Sequence, residues 1–298
     1  MTRPSDSHRR PARRLWSIAC FVLAMAFAAP AAFAAPPALH VIDVGGAPTT
    51  RGASWQAPAR KPLRQLRRAA GRHAKSSSMR VDDATNLELR TNGKIIAIDP
   101  REGHYSCSGT AINTPSKSVV LTAGHCAIEN GSAGRKIVFV PAYDHGKRPF
   151  GTFAVSSVFV IKQWRHGENP DFDVAALRVK PNELGDLTDV VGGRGFAVSR
   201  SRTSTFEIFG YPAAALRGEE LRSCHAHGLG SDPFTFGFDG PPTLPTSCDM
   251  AAGASGGAWI IDGQLINGVT SYSYLGRPSR LYSPYFGKEI GVFLRALP

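Results

Sequence analysis

The chain reads as an all-β protein of barrel or sandwich class, on three observations. From about residue 88 it breaks into short β-rich pieces, glycine and proline recur between them, and no stretch holds a long 3.6-residue apolar period. The first piece is Lys94-Ile95-Ile96-Ala97-Ile98, followed by Ser118-Val119-Val120-Leu121 and Lys136-Ile137-Val138-Phe139-Val140. Phe153-Ala154-Val155 and Val158-Phe159-Val160-Ile161 read as two further strands, then Val174–Val179 and Thr205–Phe209. Ala258-Trp259-Ile260-Ile261 and Leu265–Val269 flank Asp262-Gly263, a strong hairpin signal. Roughly 210 residues are enough for a buried core.

What precedes this region differs from it. Arg9, Arg10, Arg13 and Arg14 lead into an apolar run from Leu15 to Ala29, and Ala32-Phe33-Ala34-Ala35 follows. A basic head, an apolar body and small residues at the end read as a secretory signal over residues 1–34, cleaved near Ala34; a retained anchor is the rival reading. Arg13-Arg14 alone is a poor match to twin-arginine export. Residues 35–87 are rich in Pro, Ala and Arg, with Arg60-Lys61-Pro62-Leu63-Arg64 and Lys75-Ser76-Ser77-Ser78. They offer little for a packed core and read as a flexible pro-region or, equally, a plain linker.

The formal charge of +12 is unevenly placed. Residues 1–90 carry 15 Lys and Arg against 5 Asp and Glu, whereas residues 91–298 carry 20 against 18. The basic excess lies ahead of the working domain, so a nucleic-acid partner is not expected. Of five cysteines, Cys20 leaves with the signal; Cys107, Cys126, Cys224 and Cys248 remain, enough for two disulfides in any of three connectivities.

Three motifs carry chemistry. Val119-Val120-Leu121-Thr122-Ala123-Gly124-His125-Cys126 runs an apolar strand into a turn bearing an imidazole, a group able to accept and return a proton near neutral pH. In Asp171-Phe172-Asp173-Val174-Ala175-Ala176-Leu177, a carboxylate opening an apolar strand needs a partner if it is buried. In Gly253-Ala254-Ser255-Gly256-Gly257, the glycines permit a tight turn that projects a hydroxyl, with the Gly253 and Ser255 N–H groups available to an oxyanion.

With His125, Asp173 and Ser255 in that chain order, the sequence resembles the trypsin-like serine peptidases of the chymotrypsin fold, in particular the bacterial secreted branch that includes the V8-like glutamyl endopeptidases. The resemblance covers about the last two thirds of the chain. It implies two six-stranded antiparallel β-barrels, about 88–185 and 190–298 within a domain spanning 88–298, with the active site between them. Ser255 is then the nucleophile, His125 the base and Asp173 its orienting carboxylate. Asp171, the local competitor, is expected to cap a surface turn. The resemblance also pairs Cys107 with Cys126, which leaves Cys224 and Cys248 to each other.

Ala254 departs from the pattern of many animal members, where an aspartate there receives a newly freed N-terminal amine. An activation switch at that position is not expected, and a pro-region would act by covering the cleft or assisting folding. Asp249, six residues before Ser255, stands where trypsins bind a substrate Arg or Lys. The stretch Gly268–Ser273 has no histidine, which argues against a glutamate preference. Thr270, Ser271, Tyr272 and Ser273 match the strand that pairs with the substrate backbone.

The expected function is an exported serine endopeptidase, secreted or periplasmic, needing neither cofactor nor metal. Its expected partner is a protein or peptide substrate, with no nucleic acid, no membrane after signal cleavage, and a monomeric state. The rival readings are a catalytically silent binding protein on the same fold and an esterase-type hydrolase. Cys224-His225-Ala226-His227 is better read as a disulfide cysteine beside surface histidines than as a metal site. Trp164, His166 and Phe234–Phe238 are expected to be loop and core packing.

Overall fold

The computed structural model describes residues 40–43, 78–99, 103–129, 131–213, 217–235, 237–250, 252–274, 277 and 279–298. The proposed signal and most of 35–87 lie outside them. In chain order the strands are β1 (His40–Asp43), β2 (Met79–Arg80), β3 (Asn92–Asp99), β4 (Gly103–Ile112) and β5 (Val119–Thr122). A small hairpin β6–β7 (Ile128–Glu129, Ser132–Ala133) precedes β8 (Arg135–Pro141), β9 (Phe153–Val160) and β10 (Ala175–Val179). The second half contains β11 (Gly195–Phe196), β12 (Thr205–Gly210), β13 (Arg222–His227), β14 (Leu244–Ser247), β15 (Ala258–Ile261), β16 (Leu265–Val269) and β17 (Arg280–Ser283). The α-helices lying wholly within the described residues are Lys162–Gly167, Leu187–Val191 and Lys288–Arg295. The all-β class holds.

The strands β8, β3, β4, β5, β10 and β9 are neighbours in that order, and β9 returns to β8 through Val138↔Ala154 and Phe139↔Phe153. Six antiparallel strands thus close into a barrel. Strand alternation fills both of its faces. On β5, Val120 points into the barrel core with Ile95, Phe139 and Leu177, while Val119 and Leu121 join a second core shared with the other half of the chain. β1 pairs along the rest of the β9 edge, His40 opposite Val160 and Asp43 opposite Ser157.

The two strands expected at 153–155 and 158–161 are one. The register with β10 shifts between Arg178 and Val179, opposite Ser157 and Val155 respectively, so Ser156 is an extra residue in a β-bulge. The bulge resets the inward alternation from Phe153 and Val155 to Val158 and Val160. Read along the chain, that phase change looks like a break.

In the second half the order is β11-β16-β15-β12-β13-β2, with β11–β16 parallel. The ribbon β14–β17 joins through the bridges Gly228↔Thr246 and Tyr272↔Tyr282. Its interior is built on Trp259, fully buried and edge-on to Phe206 at 5.4 Å, with Ile208, Leu244 and Leu281. The expected hairpin forms at Asp262-Gly263, where both residues take positive φ, 51° and 71°. The C-terminal helix, eight residues long, docks Ile290, Phe293 and Leu294 into the shared core. Two turns are too short to register as a helical period in the sequence.

Both disulfides pair as the resemblance implied, Cys107–Cys126 and Cys224–Cys248. Replacing Cys107 and Cys126 together by alanine should lower unfolding stability by about 3 kcal/mol, since the bridge closes a loop of 19 residues. Denaturant titration of oxidised wild type against the double variant measures it; an unchanged midpoint would count against the bridge. His225 and His227 lie exposed on the outer face of β13, opposite the disulfide-bonded Cys224.

Candidate active site

The first barrel supplies two of the three groups from adjacent strands. β5 ends at Thr122, and a 3-10 turn, Gly124–Cys126, carries His125. Asp173 stands just ahead of β10, whose Ala175 is the register partner of Thr122. Strand pairing therefore sets the two side chains next to each other. Trp164 packs so closely on the turn that a Cβ at Gly124 would lie 2.7 Å from its ring, and Cys126 is tied back to β4. This bears out the packing role expected of Trp164.

Asp173 grips His125 twice. The His125 backbone N–H donates to Oδ1 at 2.8 Å, and the ring Nδ1 lies 2.8 Å from Oδ2. An ionised carboxylate only accepts, so Nδ1 carries the proton and Nε2 is left as the base. Ser271 Oγ donates to the same Oδ2 at 2.5 Å. The carboxylate is 2 % exposed. Burial pushes its pKa up, but the His125 charge and the hydrogen bonds from His125 and Ser271 outweigh burial and hold it below the usual carboxylate value.

Ser255 enters from the second half, at the turn leading into β15. The turn is fixed against the first barrel: Ser108 N–H donates to Ser255 O at 2.7 Å, and Ser108 Oγ donates to Gly253 O at 2.8 Å while accepting from Tyr211 N–H. Gly253 and Gly256 have φ of 95° and 79°. A Cβ at Gly256 would run into Thr122 Oγ1 and Ser108 O, so only glycine fits there. Neither the Gly253 nor the Ser255 N–H donates to a partner among the described residues, which leaves both open to an oxyanion. Ala254 is fully buried; a Cβ on Gly210 would lie 2.9 Å from its own.

The expected substrate residues divide by role. Thr270 is buried structure: its O accepts from Gly256 N–H at 2.7 Å and its Oγ1 from Trp259 Nε1 at 3.0 Å. Ser271 turns its hydroxyl to Asp173 and its N–H to Tyr282 O. Tyr272 stacks on Tyr282 at 4.8 Å and donates to Asp232 Oδ2 at 2.8 Å, which also receives the Tyr274 hydroxyl. Ser273 follows, half-buried. Phe234, expected to be packed, is 64 % exposed beside Tyr274, and Phe236 lies outside the described residues. The partly buried Asp249 accepts the backbone N–H of Ser78 on Oδ1 at 2.7 Å.

Asp171 does not cap a surface turn. It is fully buried under Gly240, where a Cβ would lie 2.6 Å from the Asp171 Cβ, and Asn169 Oδ1 is the cap, accepting Asp171 N–H. Among the described residues, neither carboxylate oxygen has a hydrogen bond of normal geometry. Two neighbouring donors are engaged elsewhere: the Thr235 hydroxyl on Asp232 O and the Thr243 N–H on Thr235 Oγ1. Burial pushes the Asp171 pKa up to about 6, against the opposing pull of the neighbouring Thr235 hydroxyl, the Thr243 N–H and the Arg202 charge, with Asp232 adding slightly to the rise. An acid whose folded pKa is raised favours folding fully below the unfolded value near 3.8 and loses that contribution as pH rises to 6. Asp171→Asn should therefore raise stability at pH 7.5 by about 2 kcal/mol and change little at pH 4. Thermal unfolding at both values checks it; destabilisation at pH 7.5 would refute it.

A family model described as Trypsin matches residues 89–287, well over half of the chain. The chain belongs to the trypsin family. Among solved structures, this trypsin-family chain is similar to protease Anisep from Arthrobacter nicotinovorans. The two share 33 % identity at a TM-score of 0.64, covering 69 % of this chain and 94 % of that one. It is also similar to AL20, a thermostable serine protease from an extremophilic microorganism, at 30 % identity and TM-score 0.65 over 70 % and 97 %. A curated relative, an extracellular metalloprotease of Bacillus subtilis, is 22 % identical over 53 % of this chain, which spans only 52 % of that relative's length. No helix among the described residues is long and apolar enough to cross a membrane.

Proposed function

We propose that this chain is an exported serine endopeptidase working through a covalent acyl-enzyme. The observation that carries the reading is the double hydrogen bond from His125 to a buried, ionised Asp173, beside the loop bearing Ser255. In this reading Ser255 Oγ attacks the scissile carbonyl carbon while His125 Nε2 takes its proton. The oxyanion settles against the Gly253 and Ser255 N–H groups. His125 then gives its proton to the departing amine. Water, deprotonated in turn by His125, attacks the acyl carbon and frees Ser255. Asp173 stays ionised throughout and stabilises the imidazolium.

Export is supported by the basic, then apolar, leader and by two disulfides, which form in oxidising compartments. Signal cleavage and maturation belong to the same proposal, as does a monomer acting on protein or peptide substrates. A preference for Arg or Lys before the scissile bond requires Asp249 to keep an oxygen for the substrate; Ser78 takes Oδ1, leaving Oδ2. Digestion of a diverse peptide library by the purified mature protein tests the reading. Internal cleavage at defined positions is expected; an intact library in the presence of correctly bridged protein would overturn it.

A further inference from the structure

Lys94 places an ammonium where the fold would take hydrocarbon. It stands on β3 two residues before Ile96, on the same face of the strand, and is as buried, 5 % exposed against 7 %. Ile96 belongs to the shared core. Across the pair with β4, Lys94 is the register partner of Ser108, the residue that fixes the Ser255 turn. A buried cation is costly unless it is paired, and Lys94 has two partners. Its Nζ donates to Glu219 Oε1 at 3.3 Å and lies 4.3 Å from the centroid of the Tyr143 ring. The Tyr143 hydroxyl donates to Glu219 Oε2 at 2.8 Å. Burial pushes the Lys94 pKa down, while the Glu219 charge and hydrogen bond oppose that fall.

Glu219 closes a segment that reaches the serine loop. His145 N–H donates to Glu219 O at 2.7 Å, which fixes its backbone as well. Gly218 N–H donates to Pro212 O and Arg217 N–H to Ala213 O, both at 3.0 Å, so Arg217–Glu219 lies against Tyr211–Ala213. A Cβ on Gly218 would lie 3.4 Å from Lys94 Nζ and 3.3 Å from Tyr211 O. Tyr211 itself stands edge-on to Tyr143 at 6.2 Å. At the far side of the segment, Ala213 N–H donates to Ala252 O at 2.5 Å. A Cβ on Gly253 would lie 2.5 Å from Ala213 N and 2.6 Å from Tyr211 O, so Gly253 turns its back to this segment at contact distance. No side chain from Ala252 to Gly257 carries a charge. The direction of the loop is therefore set by what packs against it.

We infer that Lys94 is a positioning residue for the oxyanion site: through Glu219 and Tyr143 it holds the Tyr211–Ala213 segment, and that segment aims the Gly253 N–H. This deepens the peptidase reading and rests on it.

The test compares the exported, mature wild type with Lys94→Met, which keeps the stem and removes the charge, and with the partly exposed Glu219→Gln. A misaimed donor should lower kcat in Lys94→Met by about 10². KM should stay within about twofold, because the donor acts on the transition state. A peptide aldehyde, whose hemiacetal oxygen takes the same donors, should bind more weakly by the same factor as kcat. Glu219→Gln should show the same split, and the double variant should fall no further than Lys94→Met, since both act through one contact. Wild-type kcat in Lys94→Met, a loss confined to KM, or additive losses in the double variant would overturn the inference. If Lys94→Met fails to fold, Glu219→Gln decides, and wild-type kcat there overturns it. Amide exchange needs no turnover: in the variants it should accelerate about tenfold more at Ala213 than at Val120 in the first barrel, and equal acceleration overturns the coupling. A wild type that digests nothing while Ala213 exchange responds sinks the peptidase reading alone. An active wild type with kcat unmoved in both variants sinks this inference alone.

Discussion

Ser255→Ala should lower kcat by about 10⁶ while leaving the fold in place. The nucleophile accounts for the loss, because without its oxygen no acyl-enzyme forms and water must attack a carbonyl polarised only by the oxyanion donors. The residual rate over the uncatalysed reaction, about 10³–10⁴, measures those donors and substrate positioning. Stability should move by less than about 0.5 kcal/mol. The bonds that fix this turn use backbone groups, Ser108 N–H on Ser255 O and Gly256 N–H on Thr270 O, and alanine keeps both. Steady-state kinetics beside thermal unfolding separates the two effects. Retained turnover would remove Ser255 from the nucleophile role, and a large fall in melting temperature would show that the side chain serves the fold.

Asp173→Asn should lower kcat by about 10⁴ near neutral pH with little change in KM. The geometry explains why a neutral isostere fails. Oδ1 accepts the His125 backbone N–H, so an asparagine oxygen would remain there and its NH₂ would face Nδ1. Facing a donor, Nδ1 must accept, which moves the ring proton to Nε2 and removes the base. A second signature lies in stability. The Asp173 pKa is depressed, so its contribution is present above the unfolded value near 3.8 and is lost as pH falls through the lower folded value. The stability gap between wild type and variant should therefore close below pH 4. Equal activity at pH 7, or a gap that widens in acid, would contradict the assignment.

What could be read from the sequence was local. His125 follows β5, Asp173 precedes β10 and Ser255 precedes β15, so each stands at the end of an apolar run whose pattern is visible along the chain. Contacts made between strands far apart in the chain were not visible. The Ser271 hydroxyl on Asp173 spans 98 residues and the Ser78 N–H on Asp249 spans 171. Ser271 was expected only as part of the substrate strand. Asp171 was misplaced for the same reason: its burial comes from Gly240, far along the chain. β4 escaped notice because Gly103–Ile112 begins with small and polar residues and lacks clean alternation, although all of Cys107–Ile112 is buried. Its Ser108 is the residue that secures the Ser255 turn.

The central claim is that His125 and Asp173 activate Ser255 in the folded protein, and covalent labelling tests it most directly. Mature, disulfide-bonded protein treated with a fluorophosphonate should take up one phosphonyl group per molecule, mapped by peptide mass to Ser255 and abolished in Ser255→Ala. Protein that is folded and bridged but stays unlabelled at Ser255, or is labelled on another serine, would contradict the account.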